Sequence, residues 1–456
     1  MNDTHRPDDT DQSLAPDQQL VGAAEPAEPG GRWRCSLEEL PPAPGRTGRV
    51  AVVGAGMVGL ATAWFLQQRG VDVDVLERNE IAAGSSWGNA GWLAPALTTP
   101  LPEPAVLRYG MRAALDPASP VYVPISLEAS LWRFLAGFAR NCTTHRWRRG
   151  MAAYRGVNRQ ALDAFDELAA GGVEAPTQPA DPFLVCFSHA DERARLLEEL
   201  GELERIGQKL GFDVLTGEQA RERAPILTEH VAAAVQLHDQ RFIDPPRYLA
   251  ALADAVRGRG AVISENTRVS DVFDDGQQVW VRSRTGMHRY DAAVIATGAW
   301  LPELGYRFGV RVPVQAGRGY SFTVAAERLP DGPVYLPVQR VACTPLGERL
   351  RIAGMMEFRD PDEPLDQRRV QAIVNAARPF LRGVDLDERQ DEWVGSRPCT
   401  TDGLPLVGPT SSPRVFAAGG HGMWGIGLGP LTGRLLADAI VTGNVPYDLQ
   451  PFRPIR

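Results

Sequence analysis

From residue 49 the chain reads RVAVVGAGMVGLATAWFLQQRGVDVDVLER, two short apolar runs on either side of a longer apolar stretch punctuated by glycine. Val50 to Val53 has the pattern of a buried parallel strand, and Val71 to Leu76 that of a second strand ending in Glu77. Between them the spacing predicts a helix to about Arg69, ended by Gly70. Ala261 to Gly298 alternates short strands with the turn signals DDG and RTG and finishes in DAAVIATGAW. A third apolar strand, RVFAAGG, runs into GGHGMWGIGLGPLTGRLLADAI, where glycine fills six of the eleven positions from Gly419 to Gly429 ahead of a helix. Pro430 is expected early in that helix, where it forfeits no hydrogen bond.

The remaining apolar runs have a different rhythm. DPFLVCF, VPVQAGRGYSFTV and ERLRIAGMMEF read as strands, and DERARLLEELGELERIGQKLG as a helix with Leu196, Leu200, Leu203 and Leu210 on one stripe. SLWRFLAGFARNCTTHRWRRG sets Leu131, Trp132, Phe134, Leu135 and Phe138 against Arg140, Arg146, Arg148 and Arg149. It reads as a core-facing helix followed by a basic loop; the sharper alternative is a peripheral contact with an anionic membrane surface. No internal repeat or heptad is visible.

Together the pattern predicts an α/β fold, α+β overall: a Rossmann-like domain discontinuous in sequence, plus a second domain with a mostly antiparallel sheet. The expected division is 1–48 as a disordered extension, 49–99, 236–305 and 395–447 as the nucleotide-binding domain, 100–235 (mainly) and 306–394 as the substrate domain, and 448–456 as a tail. The extension is rich in Asp, Pro, Gln, Glu and Gly and lacks the basic start and apolar core of a signal peptide.

Composition narrows the partners. A formal net charge of -8 provides no basic field for nucleic acid. Five scattered cysteines (Cys35, Cys142, Cys186, Cys343 and Cys399) show neither CxxC pairs nor metal-ligand spacing, which predicts a reducing compartment, no disulfide framework and no metal. No run approaches the roughly 20 apolar residues a bilayer span needs, so the expected location is cytoplasmic, with peripheral attachment at the inner membrane face as the variant.

The chemistry begins at Gly54, Gly56 and Gly59, which follow the first strand in the GxGxxG pattern. Gly54 makes the tight turn, Gly56 admits a pyrophosphate, and Gly59 lets the helix pack on the strand. Ala55, Met57 and Val58 complete the loop, and the helix start offers unpaired N–H groups to phosphate. Glu77, 23 positions after Gly54, suits a ribose diol, with Arg78 beside it. An acid there disfavours a phosphorylated ribose. Directly after comes EIAAGSSWGNAGWLAPA, a loop of small residues in which Ser85 and Ser86 suit phosphate or ribityl hydroxyls and Asn89, Ala90, Gly91, Trp92 and Leu93 follow.

Val269, and Thr297, Gly298 and Trp300 at the end of DAAVIATGAW, bring a third segment to the ligand. Gly420, Gly422, Gly425, Ile426 and Gly427 bring a fourth. A ligand touching strand ends so far apart in sequence is long, and FAD fits this better than NAD. The glycines of HGMWGIGLGP, Gly422, Gly425, Gly427 and Gly429, are expected to form a bare platform for a flat ring. The helix start behind them favours the charge that builds there on reduction.

With VVGAGMVGLATAWFL, NAGWLAPA, the Arg140–Cys142 tripeptide RNC, GRGYS, RIAGMMEF, GSRPCTTDGLPLVG and GGHGMWGIGLGP in order, the chain resembles the D-amino-acid oxidase/glycine oxidase superfamily of flavoproteins, and within it the bacterial D-amino-acid dehydrogenases, from about Arg49 to Tyr447. The extension lies outside the pattern, and Trp87 adds bulk to a loop that is usually smaller. The resemblance implies that Arg397 holds a substrate carboxylate, a role its planar fork suits. Tyr320, and His238 with Arg241, are weaker candidates for the pocket wall, each equally readable as structural. His421 either hydrogen-bonds the ring or caps the turn. Cys399 does not match the position of a covalent flavin link, so FAD is expected to be non-covalent.

The implied reaction is oxidative deamination of a D-amino acid to a 2-oxo acid and ammonia, with hydride passing from Cα to flavin N5 and electrons going on to a quinone or redox protein. Oxidation of glycine, sarcosine, hydroxyproline or an opine-like amine is the alternative. A flavin-binding subunit without a substrate of its own is a third reading.

Overall fold

The computed structural model describes residues 48–456 except 105, 107–118 and 125–127; the expectation for the N-terminal extension lies outside the described residues apart from Gly48. Six strands form the first sheet: β1 (Arg49–Val53), β2 (Asp72–Leu76), β3 (Val262–Ser264), β4 (Ala292–Ile295), β5 (Leu406–Pro409) and β6 (Val415–Gly419), in the order β3-β2-β1-β4-β6-β5. All neighbours are parallel except the β5/β6 pair. β1 is buried over four of its five residues and β4 over all four, as their unbroken apolar runs require.

Helix α1 (Met57–Gln68) and helix α2 (Gly425–Thr442) pack against each other beneath this sheet. Glycine sets their closeness. A Cβ at Gly429 would lie 2.5 Å from Met57 Cγ, and one at Gly433 would lie 2.6 Å from the Thr62 nitrogen. The helix over Thr144–Ala170 joins the same core through Tyr154, Val157, Ala161, Ala164, Phe165 and Leu168, although it falls in the segment read as mainly substrate domain.

The second sheet has nine strands and is mostly antiparallel. Its order runs 384–400, 314–326, 349–358, 341–346, 334–336, 183–187, 233–237, 212–216, with Val121–Tyr122 beside 349–358. The strand over Val384–Thr400 crosses the expected 394/395 boundary without interruption and ends beside the first sheet's β5 in sequence.

The leucine stripe behaves as the pattern predicts up to Leu203. Leu200 and Leu203 are buried with Leu196 packed alongside, but the helix stops at Arg205, so Leu210 joins the same cluster from the coil beyond it. In the amphipathic stretch, Leu131, Phe134 and Phe138 of the Ala129–Asn141 helix turn inward against Phe358 and Cys399 while Trp132 is exposed, and the expected basic loop is instead the start of the Thr144–Ala170 helix, which carries Arg146, Arg148 and Arg149. Among the described residues no helix is long and apolar enough to cross a membrane. Cys142, Cys186, Cys343 and Cys399 are free and buried.

Candidate functional site

The chain leaves β1 on a turn that only glycine can make. Gly54 has a φ of 113°, and a Cβ there would lie 2.5 Å from the Ala296 carbonyl oxygen. A Cβ at Gly59 would lie 1.9 Å from the Gly54 oxygen. Main-chain bonds tie the three neighbouring strand ends together, Gly54 N–H donating to Leu76 O at 2.8 Å and Ala296 N–H to Val53 O at 2.8 Å. β1 is therefore the switch point, with β2 on one side and β4 on the other, where an open sheet places its ligand.

A cavity of about 320 Å³ opens at these strand ends. The β1–α1 turn lines it with Gly54, Gly56, Met57 and Val58, and the residues that follow β2 contribute Glu77 and Arg78. The small-residue loop contributes Ser85, Ser86 and Asn89, and the far strands add Val269, Thr297, Gly298 and Trp300. At the other end stand Arg397, His421, Gly422, Gly425 and Ile426. From β2 to β6 is three strand spacings, about 14 Å, so one ligand touching both ends must be long.

Other expected residues lie behind this wall. Ala55 donates its N–H to Glu77 Oε2 at 2.8 Å and accepts from Ala82, so its work is to set the turn. Gly91, with φ 79°, is needed because a Cβ would meet the Ile243 oxygen at 2.1 Å; Asn89 Oδ1 accepts its N–H. Ala90 O accepts from Thr344, and the Trp92 indole donates to that same hydroxyl while its ring edges onto Phe183 and Tyr335. Leu93 is fully buried. Gly420 has φ 72° and faces Thr400 and Leu406, not the cavity.

The glycine platform is narrower than expected. Gly422 and Gly425 face the cavity, whereas Gly427 sits against Trp92 O and Gly429 against Met57. The helix begins at Gly425, so Pro430 lies inside it and not in its first turn. Tyr320 follows the structural alternative and lies off the cavity wall. Its side chain is buried in the core of the second sheet, and its hydroxyl donates to Glu357 Oε2 at 2.5 Å, because alternation along the strand turns it away from the ligand. His238 instead meets Asp213, and Arg241 pairs with Asp166.

Arg397 is the outstanding charge. It comes from the Val384–Thr400 strand, opposite Gly317. Its Nη1 donates to the Met355 carbonyl at 2.7 Å, and no carboxylate pairs with it among the described residues. Gly319 makes the space: a Cβ there would fall 2.1 Å from Nη2. Met355 reaches the guanidinium from a bulge, with φ 67°. Burial works against the charged form, so the site favours an incoming anion.

His421 is buried, its Nε2 sharing a hydrogen bond with Thr432 Oγ1 at 2.9 Å, and burial pushes its pKa down to about 4. It is neutral at ordinary pH. Cys399 is a core residue whose thiol burial pushes up to about 12.

Several lining residues carry no local sequence signal. Arg268 and Glu303 pair at 3.1 Å beside Val269. Pro361, Asp362 and Glu363 reach over from the second sheet's 349–358 strand, and Met423 sits among the glycines. Arg268, Glu303 and Met423 had only the cue of an expected neighbour, Val269, Trp300 and the glycines respectively.

These features fit FAD. Neither α1 nor α2 receives a hydrogen bond from the side chain of its own N-cap residue, and both helix starts border the cavity. Ser86 alone reaches the first, accepting the Met57 N–H at 3.2 Å. The Thr297 hydroxyl is buried without a partner on the same wall, a polar group waiting for a ligand atom.

Comparison with known proteins agrees. The family of FAD-dependent oxidoreductases known as DAO matches residues 49–439. A D-amino acid dehydrogenase of Bradyrhizobium diazoefficiens is 29% identical over 407 residues, covering 87% of this chain and 96% of that protein. One from Cereibacter sphaeroides is 28% identical, covering 87% and 92%. Glycine oxidase from Geobacillus kaustophilus superimposes with a TM-score of 0.68 at 26% identity, over 90% of this chain and 99% of that one. The two-sheet architecture, the cavity at the β1 switch point and a family match across most of the chain place this protein in the DAO family of FAD-dependent oxidoreductases.

Proposed function

We propose that the chain oxidises a D-amino acid at Cα, giving an imino acid that water hydrolyses to a 2-oxo acid and ammonia, with electrons passed on to a quinone or redox protein. The observation that carries this reading is Arg397, a cation with no carboxylate partner among the described residues, at the end of the cavity opposite Glu77. A substrate carboxylate supplies the missing anion, and the planar fork fixes its orientation as well as its presence. The names of the sequence relatives support a D-amino acid as the substrate.

The residues divide the work. Glu77, Ser85, Ser86 and the start of α1 would hold the adenosine and pyrophosphate end of FAD; Gly422, Gly425 and Ile426, at the start of α2, would hold the flavin. Bound FAD supplies a two-electron acceptor for the hydride leaving Cα. Arg397, kept in place by Met355 O, holds the carboxylate so that the Cα hydrogen faces that acceptor. The substrate amine is required neutral, and His421, neutral and tied to Thr432, adds no competing charge nearby. The N–H groups of α2 stabilise negative charge developing at their end of the cavity. FAD is held without a covalent bond: Cys399, the one cysteine near Arg397 in sequence, lies in a core and off the cavity wall.

Anaerobic mixing of the holoprotein with single amino acids tests this. D-amino acids should bleach the flavin band at about 450 nm, and their L-enantiomers should not. If glycine or sarcosine bleaches the band and no D-amino acid does, the substrate assignment fails while the cofactor assignment stands.

A further inference from the structure

The loop over residues 359–366 leaves the second sheet and brings Pro361, Asp362 and Glu363 to the cavity wall. Its base is fixed. Arg318, fully buried, donates through Nη2 to the Glu363 and Pro364 carbonyls at 2.7 and 2.8 Å, and Ser396 Oγ donates to Pro361 O at 3.0 Å. Gln315 donates to Arg359 O at 3.0 Å. Asp362 sits between these anchored residues, and its carboxylate makes the contacts to the first sheet. Asp362 Oδ1 accepts from Arg78 at 2.6 Å and Oδ2 from the Trp300 indole at 3.2 Å, while the Arg78 guanidinium lies 3.7 Å from the centre of the Trp300 ring.

The placement of those two partners gives the contact its meaning. Arg78 follows β2 and Trp300 follows β4, the two strands that flank β1. Two strand spacings, about 10 Å, separate β2 from β4, and the stacked side chains bridge that gap on the wall of the cavity that the Gly54–Gly56 turn also lines. Asp362 ties the stack to a third element that belongs to neither strand. All three residues line the cavity. The hydrogen bonds from Arg78 and Trp300 outweigh the burial of Asp362 and hold its carboxyl below the usual range, so the fastening stays charged at neutral pH.

We propose that Arg78, Trp300 and Asp362 form a buckle that closes over the middle of FAD, so that the cofactor enters and leaves only when Asp362 lets go. The proposal rests on the FAD reading of the cavity and says nothing of the substrate. A bridge differs from an ordinary contact in its kinetics. Loss of a contact speeds release alone, whereas loss of a bridge speeds both release and entry.

The test follows flavin fluorescence as the full-length holoprotein is diluted, and again as FAD is added to the stripped protein. Asp362→Ala should raise the release rate on the order of 3–10-fold, through loss of a half-exposed ion pair and the indole hydrogen bond, and should raise the association rate as well. Salt should speed release from the parent and leave Asp362→Ala nearly unmoved. Trp300→Phe, which keeps the ring and loses the N–H, should have a smaller effect. Arg78→Ala combined with Asp362→Ala should add little to either alone.

Asp362 is 57% exposed, so its replacement leaves the fold in place, and a melting curve checks this. A release rate within about twofold of the parent overturns the buckle. So does faster release with unchanged association, or additive Arg78 and Asp362 effects. If the parent itself holds no FAD, the cofactor reading falls, and the buckle with it.

Discussion

The two ends of the cavity are built by opposite means. At the β1 end, main chain meets main chain: Gly54 against Ala296 and Gly59 against Gly54, at distances that no side chain tolerates. At the other end, side chains do the work, with Arg397 on the floor and His421 locked to Thr432. Even the glycines differ. A Cβ at Gly422 would meet nothing within 4 Å and one at Gly425 only His421 Cβ at 3.6 Å, so space there is kept for a ligand and not for the protein. One end is thus bound to the fold, while the other is specialised for chemistry at little cost to the fold.

If that division is right, damage at each end should fall on a different property. Arg397→Ala should lower kcat/KM by about 2–5 kcal/mol, the scale of truncating one member of a buried charge pair, with FAD still bound and the melting temperature little changed. Steady-state kinetics and the flavin spectrum of the same sample check both halves. Gly59→Ala should do the reverse: a methyl 1.9 Å from a backbone oxygen forces α1 off the sheet. We expect a loss of about 3 kcal/mol or more in stability, with FAD lost alongside, read by urea melts. An Arg397→Ala protein that sheds its flavin would erase the distinction.

The distinction also explains what the sequence could reveal. Gly54, Gly56, Gly59 and Glu77 are legible because the β1 end is local: strand, turn, helix and acid lie within one short stretch and each glycine has a backbone reason. Arg397 was legible only through resemblance, since nothing in GSRPCT states that Gly319, far off in sequence, clears its space. Tyr320 stayed open between pocket wall and core because strand alternation beside a bulge is hard to phase from sequence, and the register shift between Arg318 and Tyr320 falls at that point. The glycine-rich stretch misled in part, because Gly429 and Gly433 serve the α1–α2 contact, a cause that a count of glycines cannot separate from ligand approach. Asp362 and Pro361 had no signal at all, arriving on a loop from the second sheet, whereas Glu303 follows the expected Trp300 on a short helix.

Proton linkage sharpens the comparison at the side-chain end. Burial holds the His421 pKa near 4 against an ordinary 6.5, so the folded protein keeps it neutral while the unfolded chain takes up a proton. Its stability contribution is therefore intact above pH 6.5 and is lost as pH falls toward 4, by about 3 kcal/mol in all. His421→Gln should flatten that part of the stability profile relative to the parent. Parallel profiles for the two proteins would show that His421 is not held neutral.

Gly319→Ala moves only the far end of a side chain. The new methyl displaces the Arg397 guanidinium without touching backbone, so kcat/KM should fall by about 1–3 kcal/mol, chiefly through KM, at a cost to stability below about 1 kcal/mol.

The smallest expected effect separates the two ends most directly. Gly425 already has helical backbone, with φ -61°, and a Cβ there would make only ordinary contact. Alanine at this position loses less entropy on entering a helix, so Gly425→Ala should leave stability unchanged or raise it by about 0.5–1 kcal/mol. The same methyl would project beside the cavity, where it should weaken FAD binding by about 1 kcal/mol or less and shift the flavin spectrum. More stability with less cofactor, measured on one variant by melting and by titration, is the outcome expected where glycine serves the ligand. Lower stability with unchanged FAD affinity would mean that this glycine, like Gly59, serves the fold.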